Sequence, residues 1–181
     1  MRICRRITLT MSSVVIGLVL ACTFAAADAV LENPHLAAYV GRWQIDVSLS
    51  PGRSGPGGGP PPSDSTYTFV LTPEGSALRM EVFSEFPLPA PSRSMPLAAN
   101  GKLQVCPGPA PCLSTGGSAA EQAYAWYELD DRVLARIFYV KSQVYEYSTL
   151  ALAADGQSFT LISWQPGTPQ YQNIRTFRKM R

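Results

Sequence analysis

Few side chains of this chain could act on a substrate directly. His35, the only histidine, follows Asn33-Pro34 near the start. With no second histidine to share a metal or relay a proton, it is read as a solvated surface group rather than a base or ligand. Cys106 and Cys112 bracket Pro107-Gly108-Pro109-Ala110-Pro111, five short, turn-prone residues that let the two thiols meet. A metal or redox pair would want Cys-x-x-Cys spacing and further ligands nearby, so a structural disulfide is expected, one that shapes a loop more than it holds the fold. Glu128 and Glu146 lie among aromatics on neighbouring strands. Buried together, two carboxylates there would raise one pKa into a range useful for proton transfer; the plainer reading puts them, like Glu81 and Glu85, on a wetted outer face. Neither a nucleophile–base–orienter set nor a set of metal ligands is spelled out. The sequence therefore assigns no catalytic residue, no metal and no cofactor.

Aromatic residues are the stronger signal. Trp43, Tyr67, Phe69, Tyr124, Trp126, Tyr145 and Tyr147 fall on strand-like segments, with Phe138, Tyr139 and Trp164 beside them. Inside a barrel of eight or more strands, inward aromatics either fill the core or line an apolar pocket for one small ligand. Both readings stay open at this point.

The elements that must position these residues are strands. After Gly41-Arg42, the run Trp43-Gln44-Ile45-Asp46-Val47-Ser48-Leu49 alternates apolar and polar, which predicts a strand through Leu49 with Trp43 starting the core. Gly41 gives the backbone room beside the indole. Ser50 to Ser63, rich in proline and glycine, cannot bury apolar surface and reads as a long mobile loop at a barrel mouth; it lacks the Lys-Ser/Thr ending of a phosphate-binding loop. Strands are expected at Thr66 to Leu71 and Leu78 to Phe83. Met95 to Ala98 and Leu103 to Cys106 flank Asn100-Gly101, a hairpin dipeptide. The second half reads as a five-strand meander: Ala123 to Leu129, Val133 to Val140, Val144 to Leu152, Ser158 to Trp164 and Tyr171 to Phe177. This predicts an all-β fold, a single antiparallel up-and-down barrel of about eight to ten strands.

The barrel domain spans residues 41–181, preceded by an arm, 28–40, in which Leu36 to Val40 could form a helical turn plugging one barrel end. Residues 1–27 read as a secretory signal peptide: Arg2, Arg5 and Arg6, then the apolar Val14 to Ala21, then Ala25-Ala26-Ala27. Cleavage after Ala27 is preferred, with Ala29 second; Cys22 after Val19-Leu20-Ala21 offers the weaker alternative of a lipid anchor. Removing the three signal arginines leaves 12 Lys+Arg against 13 Asp+Glu. The mature domain thus carries no basic footprint for nucleic acid, and no later stretch is apolar enough to span a bilayer. Export to a bacterial periplasm or beyond also suits the cysteine pair.

Laid out whole, residues 40–179 resemble the lipocalin-like (calycin) barrels, and among them small exported bacterial members. The carrying features are Gly41-x-Trp43 on the first strand, Ser48-x-Ser50-Pro51-Gly52 running into the Pro/Gly loop, the Ala154-Asp155-Gly156-Gln157-Ser158-Phe159-Thr160-Leu161 hairpin, and the final strand Asn173 to Lys179. The resemblance implies that an arginine of the last strand, Arg175 or Arg178, covers Trp43 at the closed end by a cation–π contact. It also implies a carrier of a small hydrophobic ligand. A protein partner is the alternative, as in small barrels that inhibit exported proteases by inserting a mobile N-terminal arm, here 28–40. An isomerase-like enzyme, needing Glu128 or Glu146 inside, comes third. Val133 to Val140, apolar on both faces, implies either cover from another element or a self-association surface.

Overall fold

The computed structural model describes residues 30–86, 90–108, 111–113 and 118–181. The signal-peptide and Cys22 readings lie outside the described residues, as do Pro87-Leu88-Pro89 and most of the polar break at 114–118.

Eleven strands form one antiparallel sheet: β1 (Gly41–Ile45), β2 (Gly52–Arg53), β3 (Thr68–Glu74), β4 (Ala77–Phe83), β5 (Arg93–Leu97), β6 (Gln104–Val105), β7 (Gln122–Asp130), β8 (Val133–Val140), β9 (Gln143–Leu152), β10 (Ser158–Trp164) and β11 (Gln172–Lys179). Along the sheet the order is β5-β4-β3-β1-β11-β10-β9-β8-β7-β6, with β2 added to β11. The sheet curls into a half-barrel. Its edges, β5 and β6, do not pair with each other. Instead the chain leaving β5 crosses to β7, where Gly101 N–H donates to the Trp126 carbonyl (2.7 Å) and Asn100 bridges Tyr127. Asn100-Gly101 is therefore a seam between the two edges, not the hairpin its sequence suggests.

Alternation works as the sequence implies across most of the sheet. Leu78, Met80 and Val82 of β4, Leu134 and Phe138 of β8, and Phe159 of β10 are all buried. Trp43, Phe69, Phe159 and Phe177 meet edge-on, tilted or stacked with ring centroids 4.8–5.9 Å apart, packing the lower half of the half-barrel.

The N-terminal arm closes that end. Asn33 caps a 3-10 helix over Pro34–Tyr39, and Leu36 and Tyr39 are fully buried. The Tyr39 hydroxyl donates to the carbonyls of Arg132 (2.8 Å) and Leu150 (3.3 Å), and Trp43 Nε1 donates to the Tyr39 carbonyl (2.8 Å). The expected plug is present over Pro34–Tyr39, held by these buried contacts. His35 is not simply solvated either: its Nδ1 meets Glu128, which also accepts from Asn33. That hydrogen bond raises the His35 pKa, and the same contact lowers that of Glu128.

Two strand readings change. β1 ends at Ile45 instead of Leu49, because the Asp46 side chain accepts from Ser48 N–H (3.0 Å) and turns the chain into a 3-10 helix over Val47–Leu49. Leu49 is half exposed. The Pro/Gly segment lies at the mouth as expected but is anchored: Gly52 and Arg53 pair with Ile174 and Asn173 of β11, and Arg53 bridges Gly59. Gly52 sits at φ +75°, and a Cβ there would lie 2.0 Å from the Gly59 carbonyl oxygen.

Candidate functional site

At the end opposite the Pro34–Tyr39 plug, the half-barrel stays open. An inner cavity of about 80 Å³ lies above the packed aromatics, and a wider mouth of about 230 Å³ adjoins it, sharing Arg93, Leu113, Glu146, Ser163 and Asn173. Alternation on each strand explains which side chains reach inside. Arg93 has the parity of Met95 and Leu97; Arg136 stands between Leu134 and Phe138; Arg175 and Asn173 continue inward from Phe177; and Ser163 continues from Phe159 and Leu161. Strand periodicity thus carries three arginines into the interior.

Arg136 is the best-held of them. It is 7% exposed, and its Nη2 donates to Glu146 Oε1 (2.6 Å) and Ser148 Oγ (3.0 Å). Its guanidinium also lies 5.3 Å from the Trp126 ring centroid and 5.6 Å from that of Phe138. Arg175 lies 5.1 Å over the ring of Tyr67. Glu146 faces inward, contrary to the outer-face reading, and Glu128 sits at the opposite end with the arm.

A β-bulge separates Tyr145 from Tyr147, which keeps the outward parity of Thr149 and Ala151. Phe138 pairs with Glu146 and Tyr139 with Val144, leaving Tyr145 as the extra residue. The insertion breaks the parity the two tyrosines share in the sequence. Tyr145 lines the mouth, whereas Tyr147 stacks on Trp164 (5.8 Å) beside Leu129 and Ile137 in a groove on the outer face. Tyr147 is thus not an interior residue. Of the other expected pocket aromatics, Tyr67, Phe69 and Trp126 line the inner cavity. Trp43 belongs to the packed floor, and Tyr124 is fully buried against Phe138. Burial pushes the Tyr124 hydroxyl pKa up, and that hydroxyl has no partner among the described residues.

Neither expected arginine covers Trp43. Register puts Lys179 directly opposite it on β11, and Lys179 Nζ lies 5.0 Å over the indole. Gly41 serves this contact: a Cβ there would meet Lys179 Cε at 2.8 Å. Arg178 falls on the outside and pairs with Asp46, while Arg175 is in the cavity.

Cys106 and Cys112 form a disulfide with Cα atoms 5.8 Å apart, both buried. Gln122 accepts from Leu113 N–H and donates to its carbonyl (both 3.0 Å), seating Leu113 over the mouth and the inner cavity. Leu113 is a partial cover.

Arg93, Arg136, Asn173 and Ser163 were not singled out by sequence reasoning, although their parity with flanking core residues was the available signal. Neither a protein-family model nor a curated protein matches this chain. Fold and site together define an antiparallel half-barrel, closed at one end and holding an arginine-lined cavity at the other.

Proposed function

We propose that this protein is an exported, lipocalin-like binding barrel that holds one small molecule at its open end. The observation that carries the reading is the division of the interior: a packed aromatic floor below, and above it an unfilled cavity that opens through a mouth lined by Tyr145, Trp164 and Tyr171. The Gly41-x-Trp43 opening, with a cation from the last strand over the indole, supports the likeness to lipocalin-like barrels. The buried cysteine pair supports an oxidising compartment. The protease-inhibitor alternative needs a mobile arm, and the buried Leu36 and Tyr39 weigh against it over Pro34–Tyr39.

Native mass spectrometry of protein purified from its compartment without detergent, beside the denatured mass, tests this. A stoichiometric small adduct lost on denaturation is the expected result. A clean apo mass, with tryptophan fluorescence unmoved by a panel of small amphiphiles, would overturn the reading.

A further inference from the structure

The wall of the inner cavity is electrically unbalanced. It carries Arg93, Arg136 and Arg175 against one acid among its described residues, Glu146. Glu146 is committed to Arg136. Neither Arg93 nor Arg175 has a carboxylate within ion-pair distance among the described residues. Three N–H donors on this wall are buried and unpartnered among the described residues: Trp126 Nε1, Arg136 Nε and Arg175 Nε. An indole or guanidinium nitrogen can only donate. Each buried donor left unmade costs about 1–3 kcal/mol, and more for a charged group. Three cations against one acid, and three unmet N–H donors against one unmet acceptor, Asn173 Oδ1, describe a wall that a negative charge would complete.

We infer that the inner cavity is an anion subsite. It takes the compact negatively charged head, carboxylate or phosphate, of a small amphipathic molecule, with Arg175, Arg136 and Trp126 as its donors and Arg93 at the entrance. The size of the cavity admits such a head and little more. The rest of the molecule occupies the mouth under Leu113, among Tyr145, Trp164 and Tyr171. Glu146 acts as a counterweight: by neutralising Arg136 it leaves the wall with enough positive charge for one anionic head, and it holds the guanidinium in place. This inference rests on the binding-barrel reading and gives that reading its ligand class.

The test is isothermal titration of the full chain after signal removal with three matched series: alkanoates, alkyl phosphates and the neutral alkanamides, each from butyl to decyl. At least one anionic series is expected to bind about tenfold or more tighter than the amide of equal length, as charge-assisted hydrogen bonds require. Which anionic series binds tighter separates the carboxylate from the phosphate. Arg175→Gln is expected to abolish that preference, weakening the anionic series by about tenfold more than the amides. Should that variant not fold, Arg93→Gln, a half-buried entrance position, is expected to reduce it severalfold. Equal binding of acid and amide would overturn the anion subsite and leave the binding barrel standing. Binding of neither, at any length, would overturn both.

Discussion

Replacing Glu146 by glutamine removes the negative charge that Arg136 faces inside the half-barrel and keeps nearly the same shape. The pair is largely buried, with side chains 8% and 20% exposed and a 2.6 Å contact. Removing one partner of a buried ion pair typically costs about 3–5 kcal/mol, because a charge is left uncompensated in a low-dielectric interior. Here Ser148 Oγ and two aromatic rings still hold the guanidinium, and Glu146 keeps some contact with water, so the lower end, about 3 kcal/mol, is expected. For a domain of this size that lowers Tm by roughly 6–12 °C. Urea denaturation of wild type, Glu146→Gln, Arg136→Met and the double variant checks it. The double variant should be more stable than Glu146→Gln alone, since it carries no stranded charge. A coupling energy under about 1 kcal/mol, or a double variant no better than Glu146→Gln, would refute the argument that charge compensation governs this interior.

Three further outcomes follow from the ends and rim of the half-barrel. Tyr39→Phe keeps the ring of the plug but loses the donor to Arg132 and Leu150; it should cost about 1 kcal/mol by chemical denaturation. Gly52→Ala meets both a positive φ and a carbonyl oxygen 2.0 Å from its new Cβ, so β2 should detach from β11, at a cost of about 1–3 kcal/mol for the strained backbone. Limited proteolysis should then cut faster after Arg53. His35, the only imidazole in the chain, should titrate above its ordinary 6.5 by NMR, and Glu128→Gln should lower it. The sign follows from both partners. The His35 contribution is complete below 6.5 and lost as pH rises through its elevated folded pKa. The Glu128 contribution is complete above its ordinary 4.5 and lost as pH falls through its lowered one. The contact is therefore strongest between those two values, and a histidine titrating at or below 6.5 would contradict it.

Much of the fold was legible in the sequence because it is local. Period-2 alternation marks β3, β4 and the five-strand meander, and Asp, Gly and Pro mark most of their turns, Lys141-Ser142 between β8 and β9 excepted. Cys106 and Cys112 could be paired from six residues of spacing, and Trp43 placed in the core from its strand. What the sequence alone could not determine depends on how distant strands meet. Register opposite Trp43 selects Lys179 over Arg175 and Arg178, and register follows from sheet pairing, not from the last strand's own pattern. One bulged residue in β9, Tyr145, breaks the parity it shares with Tyr147: Tyr145 lines the mouth while Tyr147 stays outside with Thr149, and no alternating pattern announces the bulge. Asn100-Gly101 has a hairpin's chemistry, yet its flanks pair with β4 and β7, partners distant enough in the chain that a local turn signal does not name them. The charge balance of the cavity is likewise tertiary. Arg93, Arg136 and Arg175 lie far apart in the chain, and only curling the sheet sets them around one space with Glu146.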